Sequence, residues 1–342
     1  MKKTIVICDP NHNDMDDESS IVAMNALVKM ELLSMAGVVA NTNPERDRAR
    51  VIRGLMNWLG LDTVPVAVGE TVMPEPDLCP DLHLIPYIDQ GGTTLREGKE
   101  LILKVLTEAE NLGVVIVIQT AMTDLKWLLE EHLDLVLRKV SRVVFMGGVM
   151  TELSSDGFIQ PNDAMNVLFD KKAAEFCYRR LQELGVPMTI TTKNATFKAM
   201  LSHNIFERMG EVGKCFAVRV PRNTQSFWRS CTAPEGSKLR GKLPMSRNRA
   251  WFVSVFCGGV NPPIADDGEI VPYLKSHAWA QYDPINLIAS VPILRDRFFF
   301  TKKISVNGVE HEVIGWSPEE HGVIDPMDLT KFLEALLEMG SR

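Results

Sequence analysis

Four aspartates crowd one short stretch, Asp9-Pro10-Asn11-His12-Asn13-Asp14-Met15-Asp16-Asp17-Glu18. Asp9, Asp14, Asp16 and Asp17 are brought near a single point, and like charges at that spacing repel, so a cation is the natural neutraliser. Carboxylates with one His and no Cys suit a hard, oxygen-seeking ion such as Ca²⁺ or Mg²⁺. A plainer reading stays open beside it. Asp16 and Asp17 could simply cap a following helix and complement its dipole. Capping leaves Asp9 unexplained, because it ends a buried apolar run, Thr4–Cys8.

The elements around this turn alternate. β-branched runs at Thr4–Cys8, Met35–Ala40, Val64–Val68, Val114–Gln119, Arg142–Met146 and Pro187–Thr192 read as strands. Between them, helical spacing runs through Asp16–Leu33, Pro44–Leu61, Glu97–Asn111, Thr123–Lys139 and Lys171–Leu184. Such alternation predicts βαβ crossovers, an open, mostly parallel sheet and helices on both faces. Ligands of such sheets bind at the carboxyl ends of the strands, where the acidic turn falls. From Arg219 to about His277 the periodicity fails, and Gly, Pro, Trp and Arg accumulate. Residues ~220–277 therefore read as an irregular elaboration, helical in parts, over one end of a single domain, 1–342. Beyond it, Pro284–Ser290 reads as a helix, Lys303–Val306 and Glu312–Gly315 as a hairpin around Asn307-Gly308, and Asp328–Met339 as a closing helix.

Composition excludes several classes. The chain has 342 residues, with 37 Lys+Arg against 44 Asp+Glu, a net charge of −7. That balance, with no extended basic stripe, argues against a nucleic-acid partner. A spanning helix needs about 20 apolar residues, and the apolar runs here are far shorter, so no membrane partner is expected. The start carries too short an apolar stretch for a signal peptide. Six scattered cysteines without a CxxC read as reduced thiols. The expectation is a cytoplasmic protein.

Further segments, in order, carry a resemblance. They are Val39-Ala40-Asn41; Leu59-Gly60-Leu61 with Val64-Pro65-Val66-Ala67-Val68-Gly69; Thr120-Ala121-Met122-Thr123-Asp124-Leu125; Val144-Phe145-Met146-Gly147-Gly148; Pro161-Asn162-Asp163-Ala164-Met165-Asn166 with Phe169-Asp170; and Tyr282-Asp283-Pro284. With the Asp9-Pro10 turn and the Asp16-Asp17 pair, the sequence resembles the inosine–uridine preferring nucleoside hydrolases from residue 4 to about 295. The resemblance implies a Rossmann-like, nucleoside hydrolase-like fold, a Ca²⁺ cofactor (Mg²⁺ second), a small-molecule nucleoside or related ribosyl ligand, and a homo-oligomer, dimer or tetramer.

By the same resemblance, Asp9, Asp17 and Asp283 bind Ca²⁺ through carboxylates, and Gln119 through its main-chain carbonyl. Asp16, Asn41 and Asn166 hold ribose hydroxyls. Asp9 takes the proton of the attacking water, and Tyr282 is the leading acid for the departing base. Tyr282 also has a plain reading as a buried tyrosine. Trp228, with Phe227 beside it, is either a stacking face for the base or core.

Departures from the family pattern are informative. Asn11 stands where a Gly usually follows the Pro, and the loop is longer, so Asp14 competes with Asp16 and Asp17 as a ligand. Ala164 replaces the Glu that usually holds the 5′-hydroxyl, leaving Asn162 or Asp163 to read that position. Asp124 replaces an Asn. Arg219, Arg222, Arg229, Lys238, Arg240, Lys242, Arg247 and Arg249 form a basic patch with Glu235 the only acid among them. It is either a solvated loop or a phosphate site. The pattern resembles a divergent branch of the family. Two alternatives to nucleoside hydrolysis follow. One is an altered member that binds a nucleoside- or ADP-ribose-type ligand. The other is an Asp-nucleophile phosphatase, disfavoured because Asn11 stands where its second Asp belongs.

Overall fold

The strands form where β-branched residues run together, and in the main sheet all but one lie parallel. In the computed structural model, which describes residues 1–10, 15–72, 82–91, 95–241 and 243–342, the chain builds a central nine-stranded sheet. Its members are β1 (Lys3–Cys8), β2 (Ser34–Ala40), β3 (Val66–Val68), β4 (Arg96–Glu97), β5 (Val114–Ile118), β6 (Val140–Gly147) and β7 (Met188–Thr192). A short separate pair, β8 (Leu201–Ser202) and β9 (His277–Trp279), follows, and then β10 (Lys302–Val306) and β11 (Val309–Ile314) complete the main sheet.

The order is β10-β11-β7-β6-β5-β1-β2-β3-β4. From β1 the chain moves outward to β4 on one side, then returns to place β5 on the other side of β1. The switch point, where an open sheet leaves a crevice, is therefore between β1 and β5. Side chains alternate across the sheet. Val6, Cys8, Val38 and Val117 enter one core layer. Ile5, Ile7, Val39 and Ile118 enter the other. Both layers are buried, as a parallel sheet requires.

Three expectations are sharpened. The elaboration expected to be helical in parts takes in a 23-residue helix, Gly210–Thr232, that runs through Pro221, and a second helix, Arg249–Phe256. Its apolar residues Val212, Phe216, Val220 and Cys231 are buried, a helical spacing that Pro221 and the polar residues between them obscured. The expected helix Thr123–Lys139 is two, Thr123–Glu131 and Leu133–Lys139, broken at His132. The hairpin at Asn307-Gly308 does form, but β11 also pairs parallel with β7 and so extends the main sheet.

A third apolar cluster lies under the elaboration. Trp228, Phe252, Phe256 and Ile270 fill it, with Phe227, Trp251 and Tyr282 packed against it. Cys8, Cys177, Cys215, Cys231 and Cys257 are free thiols; Cys79 lies outside the described residues. No described helix is long and apolar enough to cross a membrane.

Candidate active site

A cavity of about 350 Å³ opens at the carboxyl ends of β1, β5, β6 and β7, within the size range of small-molecule sites. Asp9, Asp16, Asp17, Gln119, Asn166, Tyr282 and Asp283 all border it. β1 delivers Asp9. The helix Asp16–Lys29 begins with Asp16 and Asp17 in its first turn. The helix Tyr282–Ser290 carries Asp283 in its own first turn. The helix dipole favours carboxylates at both places.

Carboxylate oxygens of Asp16, Asp17 and Asp283 lie within 4.8 Å of one another, and all three residues are buried. Oxygen donors this close suit a hard cation. The geometric trio thus includes Asp16, which the resemblance assigned to ribose. Asp9 is tied to the trio through its backbone, since its N–H donates to Asp17 Oδ1 at 2.9 Å. Behind it, the fully buried Arg48 donates to the carbonyls of Asp9 at 2.6 Å and Pro10 at 2.9 Å. The Asp9 carboxylate lies 3.8 Å from the same guanidinium. Asn11, His12 and the competing Asp14 lie outside the described residues.

Gln119 is a joint. Its Nε2 donates to Ser20 Oγ and to the carbonyl of Asp283, both at 2.8 Å, so one side chain links the two acidic helices. Its main-chain carbonyl, expected as a ligand, accepts from Asn166 Nδ2 at 3.0 Å. Asn166 spends its second amide hydrogen on the Met146 carbonyl at 2.9 Å, which commits both its donors to the protein.

Asn41 departs from expectation. Its Nδ2 donates to Asp124 at 2.8 Å and to the Ala121 carbonyl at 3.2 Å. Its Oδ1 accepts from Thr42 and Thr120. The residue is fully buried and does not border the cavity; its hydrogen bonds tie the β2 end to the residues that follow β5. Asp124, the departure from Asn, is its partner, and burial pushes that carboxyl up to about 6 against hydrogen bonds from Asn41 and the Glu70 N–H.

Trp228 is likewise not a cavity residue. It is 0% exposed, edge-on to Phe252 at 5.2 Å in the third core. Val220, Asn223, Thr224, Phe227 and Ser230 present one face of the helix to the cavity, and Trp228 sits about 100° around it from Phe227. Phe227 is therefore the aromatic residue of this pair at the cavity. Trp251, which sequence reasoning did not single out, borders it too.

Asn162 borders the cavity with its amide engaged in a turn, accepting from the Ala164 N–H and donating to the Val149 carbonyl, both at 3.0 Å. Gly148 permits this, because a Cβ there would fall 2.0 Å from Asn162 Oδ1. Asp163 is turned away, its side chain 72% exposed and near Lys171.

The basic patch divides. Arg219, half-buried, pairs with the buried Glu18 at 2.9 Å. Arg240 spends Nη1 and Nη2 on four backbone carbonyls. Arg249 pairs with Asp266 at 2.7 Å. Arg222, Arg229 and Lys238 are exposed, and Lys242 lies outside the described residues. Arg247 borders the cavity.

The sequence profile of the inosine-uridine preferring nucleoside hydrolases matches residues 4–246. None of the curated proteins matches the chain in sequence. Among solved structures, the type III effector protein XopQ complexed with adenosine diphosphate ribose is similar over 100% of this chain and 93% of its own, at 25% identity and a TM-score of 0.81. The purine-preferring ribonucleoside hydrolase from Gardnerella vaginalis covers 99% of both chains, at 15% identity and a TM-score of 0.60. The inosine-uridine preferring nucleoside hydrolase from Bacillus anthracis shares the fold at 14% identity and a TM-score of 0.57, over 99% of this chain and 100% of its own. With the profile spanning well over half its length, the chain belongs to the inosine-uridine preferring nucleoside hydrolase family.

Proposed function

We propose that this protein hydrolyses the N-glycosidic bond of ribonucleosides with the help of Ca²⁺. The observation that carries the reading is the buried trio Asp16, Asp17 and Asp283 at the sheet's switch point, inside a cavity of ligand size. Three mutually close carboxylates are costly without a counter-charge, and their oxygens fit a hard divalent ion. They would hold it, with Asp9 and the Gln119 carbonyl as further candidates. When bound, such an ion orients vicinal ribose hydroxyls and acidifies a water.

The chain's own residues then divide the work. In the reaction the bond from C1′ to the base nitrogen breaks and a bond from C1′ to a water oxygen forms. Asp9 accepts the water proton. The ring of carboxylates stabilises the positive charge that grows on the ribosyl carbon. Tyr282 donates its phenolic proton to the departing base, and Asn166, its amide fixed by two carbonyls, offers its oxygen to a ribose hydroxyl.

Release of free base from inosine, uridine and adenosine, with Ca²⁺ and after chelation, tests this. Asp9→Asn should lower turnover by about 10²–10⁴ with the fold retained. No base release from any nucleoside by Ca²⁺-loaded protein overturns hydrolysis. A second reading would then stand: the cavity binds a ribosyl ligand of the ADP-ribose type without cleaving simple nucleosides. Its support is the likeness to XopQ, whose structure contains that ligand.

A further inference from the structure

The acids of the cavity lie toward β1, and its cations lie elsewhere. Lys193 follows β7 directly, and β7 is three strands from β1. That spacing amounts to about 14 Å. Arg247 faces the same cavity and lies over the Trp251 ring, 4.0 Å from its centroid. Trp251 in turn packs on Phe197 at 6.3 Å, whose N–H bonds back to the Lys193 carbonyl. The two cationic residues are thus brought together by one aromatic contact.

Neither has an acidic partner among the described residues; Lys193 keeps its access to solvent, whereas for the half-buried Arg247 an unpaired charge is unusual. Arg247 Nη1 is buried and has no hydrogen-bond partner there. Asn223, 4% exposed and bordering the cavity, leaves its Nδ2 equally unpartnered. Burial, and then the Arg247 cation, hold the Lys193 ammonium below its ordinary range. Arg247 and Asn223, which both line the cavity, thus each hold a buried donor with nothing to donate to. Ala164 offers no carboxylate on the intervening wall, and Asp163 faces solvent.

We propose that Lys193 and Arg247 form a phosphate subsite, so that this cavity prefers a 5′-phosphorylated ribosyl compound, a nucleoside mono- or diphosphate, over the plain nucleoside. A guanidinium already stacked on an indole has its plane fixed, which favours a two-bond fork to phosphate oxygens. The separation of acids and cations sets the ligand's direction, sugar toward the carboxylates and phosphate toward β7. The proposal rests on reading the cavity as a ribosyl site.

The experiment has two arms. In the first, inorganic pyrophosphate is titrated calorimetrically into metal-free wild type, Arg247→Gln and Lys193→Gln. Binding by wild type that weakens about tenfold or more in each variant, the loss of one charge-assisted bond, supports the subsite. Absence of binding, or binding equal in all three, overturns it whatever nucleosides do. In the second, adenosine, AMP and ADP are titrated with Ca²⁺ present. ADP and AMP should bind at least about tenfold tighter than adenosine, a preference that both variants abolish. Equal affinities for all three overturn the phosphate preference. Pyrophosphate binding with no response to any of the three would instead sink the ribosyl reading, and with it the claim that the subsite serves a ribosyl ligand.

Discussion

Gln119 Nε2 donates to the main-chain carbonyl of Asp283 at 2.8 Å, joining residues 164 positions apart. Its second bond, to Ser20, anchors the helix that carries Asp16 and Asp17. The spacing of the acidic trio therefore depends on an uncharged side chain. Groups that orient ligands in this way typically cost 10- to 100-fold in metal affinity when removed. Gln119→Ala should weaken Ca²⁺ binding by about that factor while leaving the carboxylates in place. Calorimetric titration of Ca²⁺ into both proteins decides it, and an unchanged affinity would assign Gln119 to packing alone.

Asp283→Asn should act in opposite directions with and without the ion. In metal-free protein it removes one of three crowded negative charges, so the melting temperature should rise. With Ca²⁺ at a hundredfold excess over Kd, wild type gains about 2.7 kcal/mol by mass action, and the variant should gain little or none. Thermal melts in chelator and in Ca²⁺ read both signs. A variant less stable than wild type in chelator would contradict the repulsion argument.

Asp124 carries a pH signature. Its carboxyl is pushed up to about 6 from 3.8 by burial, the hydrogen bonds from Asn41 and Glu70 opposing. The folded state thus holds this proton more tightly than the unfolded chain, and its contribution to stability falls as pH rises from about 4 to about 6. His311 works oppositely. Burial, then the Arg142 cation, push it down to about 4 from 6.5. Its contribution therefore rises with pH between those values, and the two partly cancel in wild type. Asp124→Asn leaves the His311 slope unopposed. Urea denaturation across pH 4–7 should show the variant gaining on wild type by up to about 3 kcal/mol. A constant difference across that range would refute the shift.

Neighbouring aromatic residues should separate stability from binding. Trp228→Ala empties a fully buried position and should cost about 3–5 kcal/mol. Phe227→Ala, at the cavity wall, should cost less stability but weaken ligand binding. If Trp228→Ala alone impaired binding in protein shown to be folded, the assignment of the two faces would be reversed.

The parts legible in the sequence were those governed by local chemistry. The run Val114–Ile118, short, wholly β-branched and preceded by Gly113, reads as a strand buried on both faces, and the acidic turn after β1 announces its own electrostatic problem. What the sequence hid depends on distant partners. Asn41 matches a ligand-binding position, and only the fold shows that Asp124, 83 residues away, takes up its amide. The cationic side chains at 219–249 look alike in sequence. Pairing with Glu18, backbone carbonyls near 244, Asp266 or an indole ring gives Arg219, Arg240, Arg249 and Arg247 different work. The bounds of the helix Gly210–Thr232 stayed hidden because Pro221 is normally a breaker.

That proline has a mechanical consequence. Pro221 has no N–H, so the helical rung that would close on the Ala217 carbonyl is missing. On one side, Val212, Phe216 and Val220 are embedded in the core beneath the sheet. On the other, Trp228 and Cys231 belong to the small core beneath the elaboration. The weakest rung of the rod falls at the seam between two bodies it connects. The helix is an axle with a joint, and tilting of the outer body over the sheet would concentrate its strain there.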